Sequence, residues 1–242
     1  MTYCVGLKLD RGLVFMSDTR TNAGIDNISI FRKMHVWERT GDRVIVMLAA
    51  GNLATTQNVV SLLDERLKAP GERKPSLLKT PSMYQTARLV GDTVREVIAS
   101  TTPEGQKADS FYASFILGGQ IKGAEPRLFM IYPEGNFIEA GPDTPFFQIG
   151  ETKYGKPIIV RAYDPSMSFA ETAKLLMVSF DSTLKSNLSV GLPLDMLFYE
   201  TDTLKVALKK RIGYDDAYYR TISNGWSDAL KAAFKSLPDF PG

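Results

Sequence analysis

The sequence is short of the residues that build several common kinds of site. It holds one cysteine, Cys4, and one histidine, His35, among 242 residues. A single cysteine excludes an intrachain disulfide and gives no sign of an oxidising compartment. A single histidine excludes a His-rich metal centre and would make any Ser-His-Asp triad depend on that residue. Neither sign of charge is in excess. The 29 Lys and Arg against 27 Asp and Glu leave a formal net charge of +2. That balance argues against nucleic acid or an anionic membrane as the main partner. The longest apolar run, Val44 to Ala50, is far too short to span a bilayer. No basic segment followed by an apolar one opens the chain, so no signal peptide is read and a cytoplasmic location is expected. Internal repeats and low-complexity tracts are lacking too. No helix directly follows Gly118-Gly119, which removes a nucleotide-binding fingerprint.

What is present is an ordinary globular mixture, 44% hydrophobic and 23% charged. No linker separates two cores, so residues 1–242 read as a single domain. Tyr3 to Leu9 and Leu13 to Ser17, separated by Asp10-Arg11-Gly12, predict a hairpin. Ile28 to Glu38 and Arg43 to Ala50, joined by Arg39-Thr40-Gly41-Asp42, predict a second. The period then becomes helical from Asn52 to Lys68, with Pro70-Gly71 as the stop. Met83 to Ile98 predicts a second helix. Strand character returns at Phe111 to Gly118, Arg127 to Tyr132 and Asn136 to Glu139. A third helix carries Phe169, Ala173, Leu176, Phe180 and Leu184 on one face. Leu194 to Tyr199 predicts a strand, and Ile222 to Ala233 a last helix closed by Pro238. Strands and helices do not alternate one by one, which disfavours a parallel doubly wound sheet. Antiparallel sheets packed on each other and covered by helices fit this α+β order.

Two features of MTYCVGLKLDRGLVFMSDTR are chemically suggestive. Thr2 lies directly behind the initiator methionine. Once exposed, it would combine a hydroxyl nucleophile with an α-amine whose ordinary pKa, roughly 7.7–8.0, suits a base at neutral pH. Position alone also fits an exposed tail. Asp18 closes an apolar run and shares strand phase with Val14 and Met16, where a carboxylate needs a partner. A strand-end aspartate bound to a turn amide is the alternative. Lys33 shares phase with Phe31, His35 and Trp37 and is the natural partner, although most lysines extend their amine into water. Gly51 stands between a strand and a helix, where it permits unusual backbone angles and close approach of a substrate. A plain turn with Asn52 as helix cap is the other reading. Cys4 and His35 read as packed strand residues, and Lys209-Lys210-Arg211 as a solvated stretch. Tyr214, Tyr218, Tyr219 and Trp226 suit either an interface or the chain's own core.

The stretches TYCVGLKLDRGLVFMSDTRTNAG, FRKMHV, LAAGNLAT and FILGGQIKGAEPRLFMIYPEGNFIEA together resemble the proteasome-type N-terminal nucleophile hydrolases. Within these they resemble the Anbu family of bacterial β-subunit-like proteins most. The resemblance covers essentially the whole chain. It implies a four-layer αββα sandwich of two antiparallel sheets. It implies Thr2 as nucleophile, Asp18 and Lys33 as its activating pair, and Gly51 as the oxyanion-hole glycine. Asp181 then corresponds to the later aspartate that supports the threonine amine, and Arg20 joins the residues around the nucleophile. Some positions depart from the family pattern. The interval from Asp18 to Lys33 is one residue shorter than in typical β-subunits. Glu151 stands where the family's Gly-Ser-Gly turn has serine. Leu184 stands at the serine that follows the later aspartate, so Ser186 or Asn187 would have to substitute. The implied activity is peptide or amide hydrolysis after removal of Met1, with no cofactor or metal, in a homo-oligomeric ring or open spiral. No ATPase partner can be read. A non-catalytic assembly subunit and a hydrolase of small non-peptide amides are the alternative functions.

Overall fold

The computed structural model describes residues 2–22, 28–68, 75–103 and 108–241. Strands β1 (Tyr3–Leu9) and β2 (Gly12–Asp18) form the first hairpin, with Leu9 opposite Gly12. Two later strands extend it on either side. β10 (Phe146–Gly150) pairs with β1, while β11 (Leu194–Glu200) pairs with β2 and carries β12 (Val206–Ile212) at the edge. The second sheet runs in chain order through β5 (Met34–Arg39), β6 (Arg43–Gly51), β7 (Ala113–Ile121), β8 (Arg127–Ile131) and β9 (Phe137–Glu139). Every pairing in both sheets is antiparallel. A small ribbon of β3 (Arg20–Asn22) and β4 (Ile28–Ile30) stands apart.

Side-chain alternation explains the layering. Along β6, Ile45, Met47 and Ala49 join a core with α1 (Leu53–Lys68) and α2 (Met83–Thr101). Val44, Val46, Leu48 and Ala50 point the other way, into a core shared with Leu13 and Phe15 of the first sheet. Tyr3, Val5 and Leu7 of β1 face a third core. It is completed by Ala173, Leu176 and Phe180 of α4 (Phe169–Ser186), Ile159 of α3 (Lys156–Ala162) and Tyr219 of α5 (Ala217–Lys235). Three apolar interiors therefore separate four layers, helix, sheet, sheet and helix. Strands buried on both faces read as continuous apolar runs, which is why Val44 to Ala50 shows no alternation.

Several expectations change. The stretch 28–38 is not one strand. β4 pairs only with β3, Phe31 to Lys33 leave the ladder, and β5 begins at Met34. The break has a visible cause, because the Phe31 N–H goes to the Thr19 carbonyl (2.9 Å) and the Lys33 carbonyl accepts from Ala49. Four of these elements escaped sequence reading: β3, β10, α3 and β12. Edge strand β12 exposes Lys209 and Lys210, so its pattern is that of a solvated segment, and its partner β11 supplies the order. Asn52 does cap α1, its Oδ1 accepting from the Thr55 N–H at 3.0 Å. The Pro70-Gly71 stop lies outside the described residues.

Candidate active site

The start of β1 places Thr2 beside the end of β2. Thr2 is 9% exposed, and its carbonyl accepts the Glu151 N–H at 2.6 Å. Gly150, at φ +84, lies so close that a side chain there would overlap the Thr2 carbonyl. Only glycine satisfies both the backbone angle and the contact. The next residue is locked as well. The Tyr3 N–H donates to Asp18 Oδ1 (3.0 Å), and the Tyr3 phenol meets Ser179 Oγ (2.7 Å) and the Gln148 amide.

Asp18 is fully buried at the end of β2. Lys33 is 6% exposed, and its Nζ lies 2.7 Å from Asp18 Oδ1 and 2.6 Å from the Arg20 carbonyl oxygen. The Gly191 N–H reaches Asp18 Oδ2 at 3.4 Å. Burial pushes the Asp18 carboxyl above its ordinary range, and Lys33 with the Tyr3 and Gly191 amides pulls it back. The loop from Phe31 to Lys33 thus turns a lysine inward that the strand alone could not aim. An ammonium has three donors. Two are used here, and Lys33 also lines a cavity of about 620 Å³ together with Thr2 and Gly51. Gly51 ends β6 at φ +118, pressed against the Tyr112 carbonyl, so a side chain is excluded there too. Thr2, Asp18, Lys33 and Gly51, far apart in sequence, come together at one end of the sandwich.

The surrounding residues differ from expectation. Asp181 is buried on α4, but its carboxylate faces α5. It accepts from Lys185 one turn later (2.7 Å) and from the Tyr219 hydroxyl (3.4 Å). Among the described residues no hydrogen bond joins it to Thr2. Ser186 is exposed as the last residue of α4, and among the described residues its side chain makes no hydrogen bond to the site. The next residue does reach the site, because Asn187 Nδ2 donates to Glu151 Oε2 at 2.9 Å. Glu151 also accepts from the Lys153 N–H, so it orders the turn that holds the Thr2 carbonyl. Arg20 contributes its carbonyl to Lys33, while its guanidinium packs over Gly191 and donates to the Leu188 carbonyl (3.0 Å).

Sequence reasoning offered Asn187 as an alternative to Ser186 but missed the rest of the loop 187–193. The loop supplies Asn187 to Glu151 and the Gly191 N–H to Asp18, and the Pro193 carbonyl accepts from the Thr19 hydroxyl at 2.6 Å. Its sequence signal was the turn chemistry of Gly191-Leu192-Pro193. Gly150 and Tyr3 were missed too, and only their spatial neighbours reveal them. His35 lines the cavity and stacks towards Trp37, whereas Cys4 is buried, which pushes its thiol up and keeps it inert. Among the described residues no cluster of His, Cys, Asp and Glu is arranged to hold a metal ion, and no helix is long and apolar enough to cross a membrane.

Comparison with known proteins agrees with this geometry. The proteasome subunit family model matches residues 2–192. An Anbu (Gly-1) mutant structure from Hyphomicrobium sp. strain MC1 is 54% identical over 100% of both chains, with a TM-score of 0.93. Anbu from Yersinia bercovieri is 48% identical over 99% of each chain, also at 0.93. A helical assembly of the Anbu complex from Pseudomonas aeruginosa is 45% identical, over 99% of this chain and 98% of that one, at 0.92. The comparison with curated proteins returned no match. The two-sheet sandwich, the buried pair behind Thr2 and these likenesses lead to one statement: the chain belongs to the proteasome subunit family, as a relative of its Anbu β-subunit-like members.

Proposed function

We propose that the chain is an N-terminal threonine hydrolase that cleaves peptide or amide bonds once Met1 has been removed. One observation carries the reading. The Asp18–Lys33 pair is buried behind a cavity that Thr2 also lines, and a buried pair of this kind needs excellent geometry to be tolerated. In the proposed reaction Thr2 Oγ attacks the carbonyl carbon of the substrate. Its proton passes to the freed α-amine and on to the leaving nitrogen as the C–N bond breaks. Lys33 stabilises the negative charge developing on Oγ, and the Gly51 N–H receives the oxyanion. Water then hydrolyses the resulting ester and regenerates Thr2. Glu151, Asn187 and Arg20 hold the surrounding turns, and Asp181 acts at a distance through α4 and α5.

The chain works as a homo-oligomer enclosing its active sites. The helical assembly of the Pseudomonas aeruginosa relative supports this, as do Tyr214 and Tyr218, exposed beside Tyr219, which turns into the core. Intact mass and a threonine-directed electrophile test the catalytic reading. Loss of Met1 and a single adduct on Thr2 are expected, and an unlabelled protein with Met1 removed would leave a scaffold subunit instead. Light scattering tests the assembly, for which a 26.8 kDa species at all concentrations is the contrary result.

A further inference from the structure

The wall of the Thr2 cavity is electrostatically one-sided. Among the described residues its charged side chains are Arg32 and Lys33, and no carboxylate lines it. Lys33 is balanced by Asp18 directly behind it. Arg32 is different. It is exposed in the connection between β4 and β5, it faces the cavity, and among the described residues it has no ion-pair partner. Its charge is felt at His35 on the same wall. Burial is the main cause that holds that imidazole below its ordinary range, with Lys209 and Arg32 adding to it and Asp64 opposing. The start of α1 also lines the cavity, through Leu53, Thr56 and Gln57, and its first turn carries no acidic residue. A substrate cation here would meet Arg32, with no carboxylate among the described lining residues to receive it. A substrate carboxylate would meet a guanidinium free to bond it through two parallel N–H donors.

We propose that the cavity selects amides whose acyl residue carries a carboxylate, and that Arg32 is the residue that reads it. This rests on the hydrolase reading of Thr2 and adds the substrate class to it. An exposed Arg32 gains little from ion pairing in open water, because solvent screens the pair and ordering the side chain costs entropy. A substrate seated in the cavity shields one side of the guanidinium and strengthens the bond. The recognised group is a carboxylate, so an acidic side chain at the acyl residue has to be distinguished from a free carboxylate on the leaving side. Arg32 touches neither Thr2 nor Lys33 through any hydrogen bond and is a specificity residue rather than a catalytic one.

The test is a set of acetylated tripeptides with one fluorescent amide leaving group and Glu, Gln or Lys at the acyl residue. A Gln peptide whose leaving group bears a carboxylate completes it. At low salt, kcat/KM for Glu should exceed that for Gln about tenfold, mostly through KM, with Lys slower than Gln. Arg32→Gln should bring the Glu-to-Gln ratio close to one, and Arg32→Glu should make Lys the better substrate. Equal rates for Glu and Gln, a ratio unmoved by Arg32→Gln, or a preference only for the leaving-side carboxylate would overturn the proposal. A neutral threonine-directed electrophile separates the two readings. If it labels Thr2 while preference is flat, the charge selection alone falls. If neither labelling nor turnover occurs, the hydrolase reading falls. Calorimetric titration of the acetyl-tripeptide amides then decides the charge selection by itself. Tighter binding of Glu that Arg32→Gln removes would sustain it, and equal affinity for Glu and Gln would end it.

Discussion

The two ends of β1 each open into a cavity, and the larger one is not the candidate active site. The cavity at the Thr2 end measures about 620 Å³, and the one beyond Leu9 about 860 Å³. The far end has its own buried polar network. Gln120 accepts from the Tyr199 hydroxyl and from the Asp202 N–H (2.8 Å), and donates to Asp202 Oδ1 and the Ala124 carbonyl (2.6 Å each). The Tyr163 hydroxyl on its wall donates to the Lys8 carbonyl at 2.6 Å. These groups satisfy one another, which is how a neutral amide stabilises a loop. The Thr2 end instead buries a full charge pair, whose lysine uses two of its three donors and lines the cavity. Orphaned hydroxyls do not separate the ends, since Ser17 and Thr201 each leave one buried oxygen unpaired among the described residues. Size does not separate them either. The difference is that one network is chemically closed and the other borders a cavity that Thr2 also lines.

The largest expected effect is at Thr2. Thr2→Ala should lower kcat/KM by at least about 10³-fold, with the circular dichroism spectrum and melting temperature retained. Thr2→Ser should keep part of the rate, since hydroxyl and amine survive. Undiminished hydrolysis by a contaminant-free Thr2→Ala protein would remove the contrast between the two ends.

Lys33→Ala should cost nearly as much rate, because residues that work as a unit lose function together. It also strands Asp18, which should lower unfolding free energy by about 3–5 kcal/mol in a denaturant titration. The sharpest comparison is Gln120→Ala at the far end. It leaves the Tyr199 hydroxyl and the Asp202 amide unpaired and should cost about 1–3 kcal/mol, with kcat unchanged. A rate loss in Gln120→Ala comparable to that in Lys33→Ala would mean that both networks serve catalysis.

Gly150→Ala should act between these two. Its backbone angle and the nearby Thr2 carbonyl make a methyl group costly by about 1–3 kcal/mol, and the strain falls on Thr2. Kinetics and melting measured together should show rate falling more than stability. The reverse would place Gly150 in the fold rather than in the site.

The smallest effect is a pH dependence. Burial holds the His35 imidazole below its ordinary range, so in the folded state it resists the proton that the unfolded chain takes up near pH 6.5. The charged groups it senses are Asp64, Lys209 and Arg32. Its contribution to stability is therefore full above about pH 6.5 and is lost as pH falls through the lowered value. Melting curves between pH 7.5 and 5 should decline less steeply for His35→Gln than for wild type. Identical slopes would remove His35 from the account.

Much of this was legible in the chain because it depended on local periodicity. The first hairpin, four of the five helices and the central strands of both sheets follow from alternation, helical spacing and turn residues. Asp18, Lys33 and Gly51 were legible for a related reason: each breaks a local rule, a carboxylate or a cation in an apolar run, or a glycine at a strand end, while Thr2 stood out by its place behind Met1. Asp18 even implied its partner, since a buried carboxylate demands one. Other features depended on neighbours distant in sequence. Lys33 points inward only because residues 31–33 leave the ladder to bond Thr19 and Ala49. Asn187, not Ser186, reaches Glu151 because α4 ends one residue earlier and the chain turns there. Asp181 meets the Tyr219 hydroxyl because α5 packs on α4, whereas its contact with Lys185 is local to α4. Residue types and spacing determined which chemistry the chain carries. Only packing decided which groups meet, because a hydrogen bond depends on separations of a few ångströms that sequence distance does not encode.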